Sequence, residues 1–247
     1  MGTYLITGAT GGIGRAVAEL LYDEGHELVL AGRSPERLHR LAEHLGSPAF
    51  GATQTIDPAR LSAPGPPVRT VTFDLAEPRR LEAALALADL PARLDGVVHS
   101  AGVIDLGPVA ELEADQWIDQ LMVNLVGAAE LTRLLLPALR TARGHLVFVN
   151  SGAGLRARAS WSAYAASKHG LKALADSLRA EEPALAVTSV YPGRTASEMQ
   201  KKARTQESAS YLPESYIQPL TVARVIVNAL ATPRDAVLTN ISIGRAT

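Results

Sequence analysis

Residues 5–21 read LITGATGGIGRAVAELL, an apolar strand end, a turn carrying Gly8, Gly11, Gly12 and Gly14, and then a run of helical period. That order suits a phosphate cradle. Glycines let backbone approach a pyrophosphate closely, while free N–H groups and the dipole at a helix N-terminus favour its negative charge. The spacing can be taken as Gly8, Gly12, Gly14 or, because Gly11 is present, as Gly8, Gly11, Gly14; neither is G-x-G-x-x-G. A glycine-rich turn without a ligand is the plainer reading, and the strand-to-helix setting weighs against it.

Working outward, short apolar runs at 3–7, 27–32, 68–73, 95–100, 145–150, 186–191 and 236–243 alternate with helical patterns near 12–24, 35–45, 78–89, 114–139, 161–180 and 219–231. This alternation predicts an α/β doubly wound Rossmann fold, a seven-stranded parallel sheet with helices on both faces, in one domain spanning 1–247. Two stretches interrupt it. Residues 46–67 hold five prolines and predict a long surface loop, whereas the polar stretch 194–216 follows a strand's carboxyl end, where ligands sit in such folds, and predicts a substrate lid.

Composition narrows the function classes. With 47% apolar residues the 247-residue chain can fill a sizeable core, and its net charge of −1, without a basic block, predicts no nucleic-acid or membrane partner. The absence of cysteine excludes a disulfide framework, a thiol nucleophile and Cys-based metal sites. His39 and His44 are five apart and fall on different helix faces, so no metal site is expected. The opening residues lack a basic segment followed by a long apolar one, and no apolar run approaches ~20 residues, so a cytoplasmic protein is expected.

A dinucleotide fold separates NAD from NADP at the end of its second strand. An acid there would bind the ribose 2′-hydroxyl, but LAGRSPE offers Gly32 and then Arg33. Arg33 can pair with a 2′-phosphate, and Arg15 on the first helical turn could add a second charge, so NADP(H) is expected over NAD(H).

The segments TGATGGIG (7–14), FDL (73–75), HSAG (99–102), MVNLVG (122–127), VNSGAG (149–154), YAASK (164–168) and YPG (191–193) occur in this order. Together they resemble the short-chain dehydrogenase/reductase family over essentially the whole chain, and the length fits its compact single-domain branch. The resemblance implies a catalytic group of Asn124, Ser151, Tyr164 and Lys168, with Asn124 helping to hold a water that leads protons from Lys168 to solvent. It also implies cofactor contacts from Gly8, Thr10, Gly12, Ile13 and Gly14 in the glycine loop, Asp74 and Leu75 at the adenine, and Ser100, Ala101 and Gly102 after the fourth strand. Beside the nicotinamide stand Pro192 and Gly193, with Thr195 or Ser197 meeting the carboxamide, and Tyr164 and Lys168 themselves touch the cofactor. Departures are His99-Ser100 where the family usually has two asparagines, and Asn150 where a second serine is common.

The spacing of Tyr164 and Lys168 has its own chemical reason. Moving a hydride between a carbonyl and nicotinamide needs a proton donor or acceptor beside the substrate oxygen, and a tyrosine of ordinary pKa ~10 serves best when brought toward neutrality. A lysine four residues on, along the same helix face, supplies a cation that favours the phenolate. The chain has twenty Arg and four Lys, none before position 168, so a lysine at that position is conspicuous. Ser151 would hydrogen-bond the substrate oxygen.

The expected activity is therefore NADP(H)-dependent interconversion of a small-molecule secondary alcohol and a carbonyl, the rival being a non-catalytic dinucleotide sensor or scaffold on the same fold. Small residues along the helix of Tyr164 (Ala163, Ala165, Ala166, Ser167, Gly170, Ala173) permit close helix approach, and with the 114–139 helix they resemble the family's subunit contact. A homodimer or homotetramer is expected, with packing inside one subunit as the alternative.

Overall fold

The computed structural model describes residues 1–47 and 65–246. Its elements run β1 (Thr3–Thr7), α1 (Gly12–Asp23), β2 (Glu27–Gly32), α2 (Pro35–Gly46), β3 (Val68–Thr72), α3 (Leu81–Ala86), β4 (Gly96–His99), α4 (Ala114–Leu121), α5 (Gly127–Ala142), β5 (His145–Val149), α6 (Ser162–Glu181), β6 (Ala186–Pro192), α7 (Glu198–Gln206), α8 (Pro219–Leu230) and β7 (Asn240–Ile243). The seven strands form one sheet in the order β3-β2-β1-β4-β5-β6-β7, every pairing parallel.

Such a sheet needs cover on both faces, which explains why its central strands are apolar at consecutive positions. All five residues of β5 are buried. One face packs on α3, α5 and α6 through Leu81, Leu131, Leu135, Leu139 and Leu171. The other packs on α1, α2 and α8 through Val17, Leu21, Leu38, Val222 and Ile226. The chain leaves β1 toward β2 and β3, then restarts on the opposite side at β4. A crevice therefore opens at the carboxyl ends of β1 and β4, where this class of sheet binds ligands.

Two elements differ from expectation. The helix over 114–139 is three pieces, α4, a π turn at Met122–Val126 and α5. By length and composition alone Ala114–Ala142 could cross a membrane, but here it flanks the sheet with Leu131, Leu135 and Leu139 in the core. The 194–216 stretch carries α7, capped by the Ser197 hydroxyl, which accepts from the Gln200 N–H at 3.2 Å. Most of the expected 46–67 loop lies outside the described residues. Of the small residues on α6, Ala163, Ala165 and Ser167 are buried within the subunit, whereas Ala166 and Ala173 face outward.

Candidate active site

A cleft of about 780 Å³ runs along the carboxyl ends of the central strands. At its middle lies the glycine turn. Gly8 has φ +61°, and a Cβ there would stand 2.8 Å from the Ala101 backbone, so the turn after β1 can approach the segment after β4 this closely only if this position is glycine. Gly14 does not line the cleft; a Cβ on it would sit 2.4 Å from the Gly8 carbonyl oxygen, so it lets α1 begin directly on the turn. The Thr7 hydroxyl accepts from the N–H groups of Ser100 and Ala101 at 3.1 and 3.2 Å, tying the end of β4 to β1. Gly8, Thr10, Gly12 and Ile13 line the space over the N-terminus of α1, with Ser100, Ala101 and Gly102 on the β4 side. Backbone N–H groups of this turn could hold a pyrophosphate.

At the β2 end the cleft is lined by Arg33, Ser34, Arg37, Asp74 and Leu75. Arg33 is exposed and lies 4.0 Å from the Asp74 carboxylate. Arg15 does not share this end: its Nε donates to Glu19 at 2.8 Å on the solvent side of α1. The second cation is instead Arg37, whose guanidinium reaches back to donate to the Thr10 carbonyl at 3.0 Å. The Ser34 hydroxyl caps α2 by accepting from the Arg37 N–H at 3.2 Å. Sequence reasoning missed Arg37 and Ser34, although Ser-Pro-Glu-Arg opens a helix in the expected way and puts residue 37 on its first turn.

At the other end Ser151, Tyr164 and Lys168 meet. Ser151 ends the loop leaving β5, and its hydroxyl accepts from the Ala153 N–H at 3.1 Å. Tyr164 and Lys168 are one turn apart on α6, 5% and 3% exposed, and the Lys168 Nζ lies 5.8 Å from the phenol ring centre. Burial pushes the Tyr164 phenol up to about 12, against a smaller opposite pull from the Ser151 hydroxyl. Burial also pushes the Lys168 ammonium down to about 8. The expected lowering of the phenol is thus outweighed by its own desolvation, while the Lys168 Nζ donates to the Val149 carbonyl at 3.0 Å. Asn150 holds this pair to the strand: its Nδ2 donates to the Lys168 carbonyl at 3.0 Å and its Oδ1 accepts from the Ser151 N–H at 2.8 Å. Only its departure from the family pattern pointed to it.

Asn124 sits on the π turn behind the cleft and does not line it. Its Oδ1 accepts from Val103 N–H at 2.8 Å, and its Nδ2 donates to the Val103 carbonyl at 2.9 Å and to Ser167 Oγ at 3.0 Å. With both amide hydrogens taken, its side chain joins the strand after β4 to α6, and the expected proton-leading water is left with the Oδ1 lone pair and the π-turn backbone. Pro192, Gly193, Thr195 and Ser197 line the cleft opposite Tyr164. Ser197 holds the α7 cap, while the Thr195 hydroxyl bonds locally to the Gly193 carbonyl at 3.1 Å. Trp161 lines the cleft edge-on to Tyr164, with ring centres 5.8 Å apart. Tyr191 is buried and donates to Asn240 Oδ1 at 3.1 Å, a packing role.

A dinucleotide fits this shape: a basic end, a glycine turn under a helix N-terminus, and a hydroxyl pair with a buried ammonium. Among the described residues no group of three His, Asp or Glu could hold a metal ion.

A family profile described as short chain dehydrogenase matches residues 3–208. The bovine dehydrogenase/reductase SDR family member 7B is 34% identical over 243 residues, which are 95% of this chain and 72% of that protein. The Uncharacterized oxidoreductase YciK of Escherichia coli K12 is 33% identical over 84% of this chain and 79% of its own. A short chain dehydrogenase from Escherichia coli CFT073, solved in complex with NADPH, superposes with a TM-score of 0.76 at 28% identity, covering 97% of this chain and 95% of that one. A cradle, a basic end and a Ser-Tyr-Lys end on one seven-stranded parallel sheet agree with these matches, and the chain belongs to the short chain dehydrogenase family of oxidoreductases.

Proposed function

We propose that the protein moves hydride between NADP(H) and a carbonyl or secondary alcohol, with Tyr164 as general acid and base. The observation that carries this reading is the group of buried Tyr164 and Lys168 with half-buried Ser151 at one end of a cleft whose other end bears Arg33, Ser34 and Arg37. The bound cofactor would supply or accept the hydride; the protein does the rest. Ser151 holds the substrate oxygen, and Tyr164, protonated at neutral pH by its burial, gives its proton to that oxygen in reduction. The resulting phenolate is stabilised by the Lys168 ammonium on the same helix face. Trp161 and Met199 shelter the site from water. Nicotinamide absorbance across a panel of aldehydes, ketones and alcohols tests the reading; tight cofactor binding without turnover on any of them would leave the sensor reading instead.

Cofactor choice follows from the basic end. In Arg33→Asp, the affinity ratio of NADPH to NADH should fall about 100-fold, because a charge-assisted contact to the 2′-phosphate becomes a repulsion. In Arg37→Ala the ratio should fall about tenfold. Titration of cofactor fluorescence measures both, and an unchanged ratio would remove these arginines from 2′-phosphate recognition.

The charge on Lys168 should govern cofactor affinity. Because its ammonium is pushed down to about 8, the cationic form is lost as pH rises through that value. NADPH affinity should therefore weaken about tenfold between pH 7 and 9, and the step should vanish in Lys168→Met. Affinity that stays flat over that range would show that the charge is not used. For assembly, the exposed Ile118 and Val126 beside the outward face of α6 support a homodimer or homotetramer, which light scattering tests directly.

A further inference from the structure

Beyond the reacting group, the cleft contains one cation with neither an ion-pair nor a hydrogen-bond partner among the described residues. Arg33 faces Asp74, Arg37 donates to Thr10, Lys168 donates to Val149, and Arg194 is held by Glu207 through two bonds of 2.9 and 2.7 Å. Arg158 also lines the cleft, yet among the described residues its side chain makes neither an ion pair nor a hydrogen bond. Its backbone is nonetheless fixed, while its side chain is exposed. The turn closes by the Trp161 N–H donating to the Arg158 carbonyl at 3.2 Å, Ser160 adopts φ +63°, and the Ser160 carbonyl accepts from the Gly107 N–H at 2.9 Å. A non-glycine residue held at positive φ is strained, and such strain clusters at ligand clamps. The turn leads straight into α6 and Tyr164, so the guanidinium stands at the Ser151-Tyr164 end and away from the basic end at Arg33.

Gln200 gives a second, independent sign. It lines the same cleft from α7, is 8% exposed, and its Nε2, a group with two hydrogens to donate, has no partner among the described residues. Buried donors left unmade are rare in proteins and call for an acceptor. The acid that lines this cleft without a partner, Glu198, follows Ser197, which packs against Gly12 at the glycine turn. Around these donors the wall is apolar, formed by Ile104, Met199 and Ala203.

Building on the proposed hydride transfer, we infer that the substrate carries a carboxylate, bound by the Arg158 guanidinium with help from Gln200, so that the protein acts on hydroxy acids and their oxo counterparts. A planar fork of N–H donors matches a carboxylate in two-point contact, and the apolar wall accommodates the carbon chain between that group and the reacting carbon. The reaction balances as a plain oxidation: Tyr164 first releases its proton to solvent, the carbinol C–H then leaves as hydride to NADP+, the O–H proton passes to the Tyr164 phenolate, and the carboxylate is unchanged.

The test uses the whole protein with NADP+ and the 2-, 3- and 4-hydroxy acids of five carbons, each beside its methyl ester, plus a hydroxyalkyl phosphate of matching length. For at least one chain length the acid should exceed its ester in kcat/KM by about 10- to 100-fold, mostly through KM. Arg158→Gln should bring that ratio to within about threefold of unity, and Gln200→Leu should lower it by a smaller factor. Esters equal to acids at every length, an Arg158→Gln variant that loses acid and ester alike, or preference for the phosphate would each overturn the inference. Turnover of neutral alcohols without acid preference refutes this inference alone, whereas turnover of nothing in the panel refutes the hydride-transfer reading beneath it.

Discussion

Tyr164→Phe is expected to keep NADPH bound with little change in affinity while losing about 10²- to 10⁴-fold in kcat, the range that a positioned proton donor supplies. The substitution removes one oxygen and nothing else. The Tyr164 ring is buried against Trp161, with Ile104, Ala153 and Ala203 around it, and phenylalanine fills the same space with the same edge-on geometry. No backbone bond depends on the hydroxyl. What is lost is the acid itself: of the groups facing the reacting end, the phenol is the one both protonated at neutral pH and adjacent to Ser151 and Lys168. Ser151→Ala keeps the acid but loses the donor that holds the substrate oxygen, and should cost less, about 10²-fold. Rates followed by nicotinamide absorbance, set beside cofactor titration by fluorescence, check both variants. A Tyr164→Phe protein that retains its rate would refute the assignment of the proton donor, whatever the substrate proves to be.

The path to that site was legible in some places and hidden in others. Residues 3–7 and 27–32 read as strands from sequence and are strands over the same limits, because a parallel strand buried on both faces must be apolar throughout. The last strand is only Asn240–Ile243 rather than 236–243, since the apolar run includes Val237 and Leu238, which stay exposed before the sheet edge and join no strand. Helix α7 went unseen for a related reason. It buries little beyond Gln200 and Ala203, so its period is faint, and only the Ser197 cap marked it. The π turn at Asn124 is a tertiary product: the side chain's bonds to Val103 and Ser167, 21 and 43 residues away, leave no local pattern. Arg15 and Arg37 show the limit for function. Both are arginines on the first turn of a helix beside the cleft, yet rotation about each axis sends one to Glu19 and the other to Thr10. Sequence alone places such residues on an element and does not orient them.

His99, a departure from the family pattern, carries together with His145 the second large effect, a loss of stability in mild acid. His99 lies on β4, stacked on Phe148 at 4.8 Å between ring centres, and its Nε2 is 3.0 Å from the Thr132 hydroxyl. That hydroxyl already donates to the Ala128 carbonyl at 2.8 Å, so the ring must donate to it, which makes His99 the neutral Nε2–H tautomer with a bare, unpartnered Nδ1. Burial pushes its pKa down to about 3. His145 on β5 is buried too, 2.7 Å from the Thr188 hydroxyl, and burial with the nearby Arg234 charge pushes it down to about 4. Both folded values lie below the unfolded value near 6.5, so the unfolded chain takes up protons first as pH falls. The stability these neutral rings allow is complete above about pH 6.5 and is lost below it, by about 1.4 kcal/mol per pH unit for each histidine. Between pH 6.5 and 5 the two together should cost about 3 kcal/mol, a large share of the ~5–15 kcal/mol that holds a typical domain folded. Urea unfolding at pH 7 and pH 5 reads this directly. Because His99→Asn and His145→Gln also change packing, the quantity to compare is the slope of stability against pH: each variant should lose about half of it, and the double variant nearly all. A wild-type protein equally stable at both pH values would mean that these histidines are not held neutral in the folded state.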